Sequence, residues 1–169
     1  MGGRFDAPIG IDDPHFGTAE VCALSGVGWK AIKNWEDRGI IPNIPRNDSR
    51  RKKFSLRDAL RFAAMNGLVE RAGMPVQDAA GAAQVFVREI TARLPRDAGG
   101  RLLLDLQAIP PDLLLILARV DGEMHVGLVT ASHAGEMWGQ HADVVVTLPI
   151  AATVARVAGR LIELASANG

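Results

Sequence analysis

Three groups of polar residues have types and spacing that chemistry could use. Lys30, Lys33, Asn34 and Asp37 recur at i, i+3, i+4 and i+7, which on a helix is one stripe, with Ile32 and Trp35 on the other side. Side chains of this kind can reach base edges in a major groove, where Asn pairs bidentately with adenine and Lys with guanine. Trp29 and Arg38 flank the stripe, Trp29 at a place where it could touch a nucleic-acid backbone. Arg46, Arg50, Arg51, Lys52 and Lys53 form the second group, long cations suited to phosphates without demanding a particular base. The third is His125, His133, Glu136 and His141, whose spacing fits neither H-E-x-x-H nor a zinc finger. These read as surface or hydrogen-bonded histidines, because no nucleophile or supporting carboxylate pattern accompanies them. No catalytic set and no metal site is therefore expected, and an enzyme is the weakest function class. Gly26-Val27-Gly28-Trp29-Lys30-Ala31 matches G-x-G-x-x-A, but the stretch after it holds Pro42 and Pro45 and runs into four cations, not into a strand ending in an acid. No dinucleotide or other cofactor is expected.

The 169 residues carry 19 Lys and Arg against 19 Asp and Glu, a balance that hides an uneven distribution. Between Trp29 and Arg61, ten basic residues oppose four acidic ones, a net of +6, whereas 1–28 and 96–169 each net −3 and 62–95 balances. A local field of this sort attracts polyanions, although a solvated charged face would have the same composition. Apolar types make up 48%, enough for a core, which excludes a disordered or fibrous chain. A single cysteine, Cys22, excludes an internal disulfide framework and reads as a small buried hydrophobe. Met1 to Asp6 lacks an apolar signal core, and no apolar run reaches the ~18 residues of a membrane span, so the expected setting is soluble and cytoplasmic.

The elements that must position these groups are legible as short patterns. Residues 1–17 read as an irregular arm. Thr18 is the expected N-cap of a first helix, with Glu20 in its first turn and Val21, Cys22 and Leu24 inward, and Ser25-Gly26 stops it. A second helix runs from about Gly28 to Asp37, buries Val27, Ile32 and Trp35 and ends at Gly39. Two short helices joined by a Gly turn make a helix-turn-helix. The stretch from Ile40 to Phe54, with turn chemistry at Asn47-Asp48-Ser49 and an anchor at Phe54, suits a projecting wing. Ser55-Leu56-Arg57-Asp58 opens a third helix with a capping box, Leu56, Leu60, Ala63 and Ala64 inward and Gly73 at its close. Val76, Ala79, Ala83, Phe86, Ile90 and Leu94 mark a fourth helix from Pro75 to Leu94, stopped by Pro95, and Asp97-Ala98-Gly99-Gly100 reads as a linker. Beyond it, Leu102–Leu104, Leu113–Leu117, Met124–Thr130 and Val144–Val146 have strand length, with a hairpin signal at Asp121-Gly122. A closing helix is expected over Ala151 to Ala165, its inner face formed by Val154, Val157, Ala158, Leu161, Ile162 and Ala165.

Residues Thr18 to about Val76 resemble the winged helix-turn-helix domain of the mercury-resistance-regulator (MerR) family and its excisionase-like relatives. The likeness is carried by Thr18-Ala19-Glu20-Val21-Cys22, Ser25-Gly26-Val27, Ile32-Lys33-Asn34-Trp35-Glu36-Asp37-Arg38-Gly39-Ile40-Ile41-Pro42 and Arg51-Lys52-Lys53-Phe54-Ser55. It implies that Ile32 to Glu36 belong to a recognition helix, with Lys33-Asn34-Trp35 where the family usually has Arg-Tyr-Tyr, and that Arg50 to Ser55 form the wing's base. The sensory cysteines of metal-responsive members have no counterpart, so metal sensing does not carry over.

The expectation is an α+β protein: a winged helix-turn-helix over 18–75, a connecting or dimerisation helix over 76–95, and an α+β module over 101–169 for dimerisation or effector sensing. The expected function is a sequence-specific transcription regulator that binds double-stranded DNA as a homodimer, with a small-molecule or protein effector at the C-terminal module. The alternatives are an architectural, excisionase-like DNA-bending factor and a protein-interaction adaptor built on the same domain.

Overall fold

The computed structural model describes residues 10–42, 44, 52–134 and 144–167. The first helix, α1 (Thr18–Ser25), is capped one residue earlier than expected: Gly17, not Thr18, is the N-cap, and its N–H donates to Glu20 Oε2 at 2.7 Å. Glycine at the cap leaves the first turn to Glu20, which also complements the positive end of the helix. Gly26 ends α1 in the left-handed region at φ 75°, its N–H donating to the Cys22 carbonyl. After Val27 and the N-cap Gly28, α2 (Trp29–Asp37) buries Ile32 and Trp35, and Gly39 turns the chain away at φ 66°. Phe54 is fully buried and bridges Phe16, so the arm's last residues, Ile11 and Phe16 among them, are core and not periphery. The capping box forms as expected: Ser55 N donates to Asp58 Oδ2 at 2.9 Å and Ser55 Oγ accepts from Asp58 N. It opens α3 (Leu56–Asn66), which continues through a π-helical turn, Gly67–Arg71, to Gly73 at φ 64°.

The fourth helix, α4 (Val76–Thr91), stops short of the expected Leu94, because the residue before a proline is steered away from helical geometry and the chain leaves the helix ahead of Pro95. Its stripe of Ala79, Ala83, Phe86 and Ile90 is buried against α3 within the same chain, so that face is not free for a dimer coil. Asp97 to Arg101 form a hydrogen-bonded turn, with Asp97 Oδ1 accepting from Gly99 N and Arg101 N, each at 2.9 Å. Leu102–Leu104 is not a strand but a pair of isolated bridges, Leu102 to Arg96 and Leu103 to Gly10, since neither partner segment extends alongside it. The remaining runs build a three-stranded antiparallel sheet, β2-β1-β3, from β1 (Leu113–Val120), β2 (Glu123–Thr130) and β3 (Val144–Pro149). Asp121 and Gly122 both take positive φ, 51° and 83°, the two-residue turn that matches strand twist. Central β1 is an apolar run because both its faces are covered: Leu113, Leu115 and Leu117 on one side, Ile116 and Ala118 on the other.

The closing helix, α5 (Ile150–Ala167), packs on α1, α3 and β1, so one continuous core joins Ile11 and Leu24 to Leu115, Leu148 and Val157. Its buried residues run from Ile150 to Ala158, whereas Ile162, expected inward, is 67% exposed because the stripe passes beyond its packing partners. Among the described residues no helix is long and apolar enough to cross a membrane.

Candidate nucleic-acid interface

The polar stripe stands where its spacing places it. Lys30, Lys33, Asn34 and Asp37 are all on the outer side of α2, while Ile32 and Trp35 hold the helix from behind, Trp35 with its ring 6.3 Å from that of Phe62. Lys33 Nζ pairs with Asp37 at 2.6 Å, both side chains more than half exposed, a contact weak enough to be exchanged for a nucleic acid. Arg38, the C-cap of α2, is exposed beside them. The helix therefore presents three cations and an amide on a rigidly backed face.

Trp29, the first residue of α2, is half-buried, edge-on to Phe54 at 6.5 Å, with Lys52 Nζ 5.9 Å from its ring centre. Lys52 also ion-pairs with Glu36, whose carboxylate is 8% exposed and accepts the Ile44 N–H at 3.0 Å. Burial works against the Glu36 charge, but Lys52 and the Ile44 N–H outweigh it and hold the carboxyl below its usual range. Glu36 thus ties both ends of the expected wing, Ile44 and Lys52, to α2. Lys53 reaches back to the His15 carbonyl at 3.2 Å. Arg46, Arg50 and Arg51 lie outside the described residues, as do Glu136 and His141. Of the histidines described, His125 and His133 are both exposed, and His133 Nδ1 shares hydrogen bonds with the Thr130 and Ser132 hydroxyls. The G-x-G-x-x-A stretch follows a helix, not a strand: Gly26 to Gly28 make the turn between α1 and α2, and Trp29 to Ala31 open α2.

One contact was not readable from the local pattern. Arg160 on α5 donates from Nη1 to the Leu24 carbonyl at 3.1 Å, and its guanidinium lies against Gly26 in the turn that introduces α2. Arg156, one turn earlier, has its pKa lowered first by desolvation and then by the like charges of Arg71 and Arg160. Basic residues from the end of the chain thereby gather close to the helix-turn-helix. Their separation of more than a hundred residues from α2 left no periodicity or motif by which to find them.

Residues 17–84 match the family model of the MerR HTH family regulatory protein. The N-terminal part of the chain is accordingly a MerR-like helix-turn-helix domain of the kind found in DNA-binding regulators. No curated protein matches the chain.

Proposed function

We propose that the protein is a sequence-specific transcription regulator that reads double-stranded DNA with the exposed face of α2 and grips phosphates with the basic segment between Arg46 and Lys53. The observation that carries this is the placement of Lys30, Lys33 and Asn34 on the outer face of a helix fastened from behind by Ile32 and Trp35. In this reading the protein works in the cytoplasm, by binding and not by catalysis. A gel-shift series with random duplex and then a selected-sequence pool tests it. The expected result is salt-sensitive binding to all duplexes, at ~0.9 in log–log slope per phosphate contact, with tighter binding to the selected pool. Absence of salt-sensitive binding would leave a protein-interaction adaptor in its place.

The same reading includes a homodimer, because one short helix-turn-helix reads few base pairs and two of them span half-sites ~34 Å apart. With the α4 stripe buried, its contacts fall to the C-terminal half. Among the described residues the exposed large hydrophobics, Leu106, Met124, Val145 and Ile162, all lie there. Light scattering on the full chain checks the point, and a monomer at working concentration would speak against it.

A further inference from the structure

A cleft of about 310 Å3 opens between α3 and α4, lined by Arg57 and Arg61 from one helix and Gly81, Gln84 and Arg88 from the other, none of them among the residues assigned to DNA. Arg61 is the unusual member. Its side chain is 17% exposed, and its Nε is a buried nitrogen with no hydrogen-bond partner among the described residues. A donor on a charged group that is buried without a partner has lost its hydration without full compensation, so this guanidinium lacks a complete set of partners. The nearby carboxylates do not meet this need. Asp58 is held by Ser55 in the capping box and comes only within 4.0 Å of Arg61, at Nη1. Asp12 takes Nε and Nη2 of Arg57, leaving that guanidinium's Nη1 to spare. Glu89 is shared between Arg88 and Arg93, so Arg88, 69% exposed, can swing away without stranding it. At Gly81, on the cleft's α4 wall, a Cβ would meet nothing within 4 Å, so only a large side chain there would fill the space.

We propose that this cleft binds a phosphoryl oxyanion, held by the guanidinium groups of Arg61 and Arg88 with the Gln84 amide beside them. Guanidinium forks match the geometry of phosphate oxygens, and a compact dianion would give Arg61 the close anionic partner that Asp58, at 4.0 Å, does not. The proposal stands independently of the DNA-binding reading. Its test is a titration of the full chain with inorganic phosphate against chloride at constant ionic strength, followed through arginine Nε–H resonances. The Arg61 signal, assigned by its loss in Arg61→Lys, should shift saturably. Arg88→Ala should weaken binding about tenfold, the scale of one charge-assisted hydrogen bond. Gly81→Leu, which fills the cleft in a helix-favouring way, should abolish the response while circular dichroism shows the fold retained. A response that never saturates, or one that survives Gly81→Leu, overturns the site and leaves an adventitious ion only. Repeating the titration with duplex DNA bound distinguishes the source: displacement of phosphate assigns the site to a backbone phosphate, and simultaneous binding assigns it to a small phosphorylated molecule.

Discussion

Glu36 ties α2 to both ends of the basic segment, through Lys52 and the Ile44 N–H. Its carboxylate is nearly buried, Lys52 is 17% exposed, and the pair sits between α2 and the two ends of the segment bearing Arg46, Arg50 and Arg51. Removing one member of a buried pair leaves the other charge unpaired, which costs about 3–5 kcal/mol, so Glu36→Ala should lower stability on that scale in chemical denaturation. The double change Glu36→Ala, Lys52→Ala should lose less than the two single changes added together, because no charge is then stranded. The pH dependence has a definite sign. The folded carboxyl sits below its unfolded value, so its stabilisation is complete above the ordinary carboxylate range and is lost as pH falls through the depressed folded value. Denaturation midpoints measured from neutral towards acid pH should fall more steeply in the natural protein than in Glu36→Gln, which keeps an acceptor for Ile44 N–H but no titrating charge. Equal slopes would assign the acid sensitivity to other carboxylates.

At the scale of elements, the proposed function divides the work between α2 and the basic segment from Arg46 to Lys53. Lys33→Ala or Asn34→Ala should cost a preferred duplex ~1–3 kcal/mol in discrimination while changing binding to random DNA less, since a bidentate base contact is lost. Arg50→Ala with Arg51→Ala should weaken all duplexes alike and flatten the salt dependence by ~0.9 in slope per contact. Gel shifts over a salt series measure both, and proportional losses in the two variants would remove the distinction. These elements were readable in the sequence because their causes are local: Gly26 and Gly39 stop helices, Ser55 and Asp58 cap one, Asp121-Gly122 turns a hairpin, and the spacing from Lys30 to Asp37 defines a face. The features that escaped such a reading depend on distant partners. The π-helical turn starts at Gly67, where a Cβ would come within 3.1 Å of Leu148 Cδ1, a contact with a strand far along the chain. Glu36 with Lys52, and Arg160 with Leu24, are likewise meetings that only the fold arranges.

For the whole molecule, the consequence is that the helix-turn-helix cannot be separated from the C-terminal half of the chain. Leu24 and Leu60 share one core with Leu115, Leu148, Val154 and Val157, and α3 is covered by both α4 and α5. A chain ending at residue 75 would expose those apolar faces and should not fold, whereas the full chain should unfold in a single transition, with calorimetric and van't Hoff enthalpies equal. Two separated transitions would contradict the shared core. The link at the turn between α1 and α2 gives a sharper test. Gly26→Ala forces a side chain into the left-handed region, at ~1–2 kcal/mol, and brings its Cβ within 2.8 Å of Arg160 Nη1. Arg160→Ala removes the bond to the Leu24 carbonyl, worth ~1.5–3 kcal/mol for a charged donor, and makes room at Gly26. The two changes should therefore be non-additive, with Gly26→Ala costing less stability in the Arg160→Ala background than in the natural one. If denaturation shows the two losses simply adding, α5 does not press on the turn that introduces α2, and Arg160 has no hold on that helix.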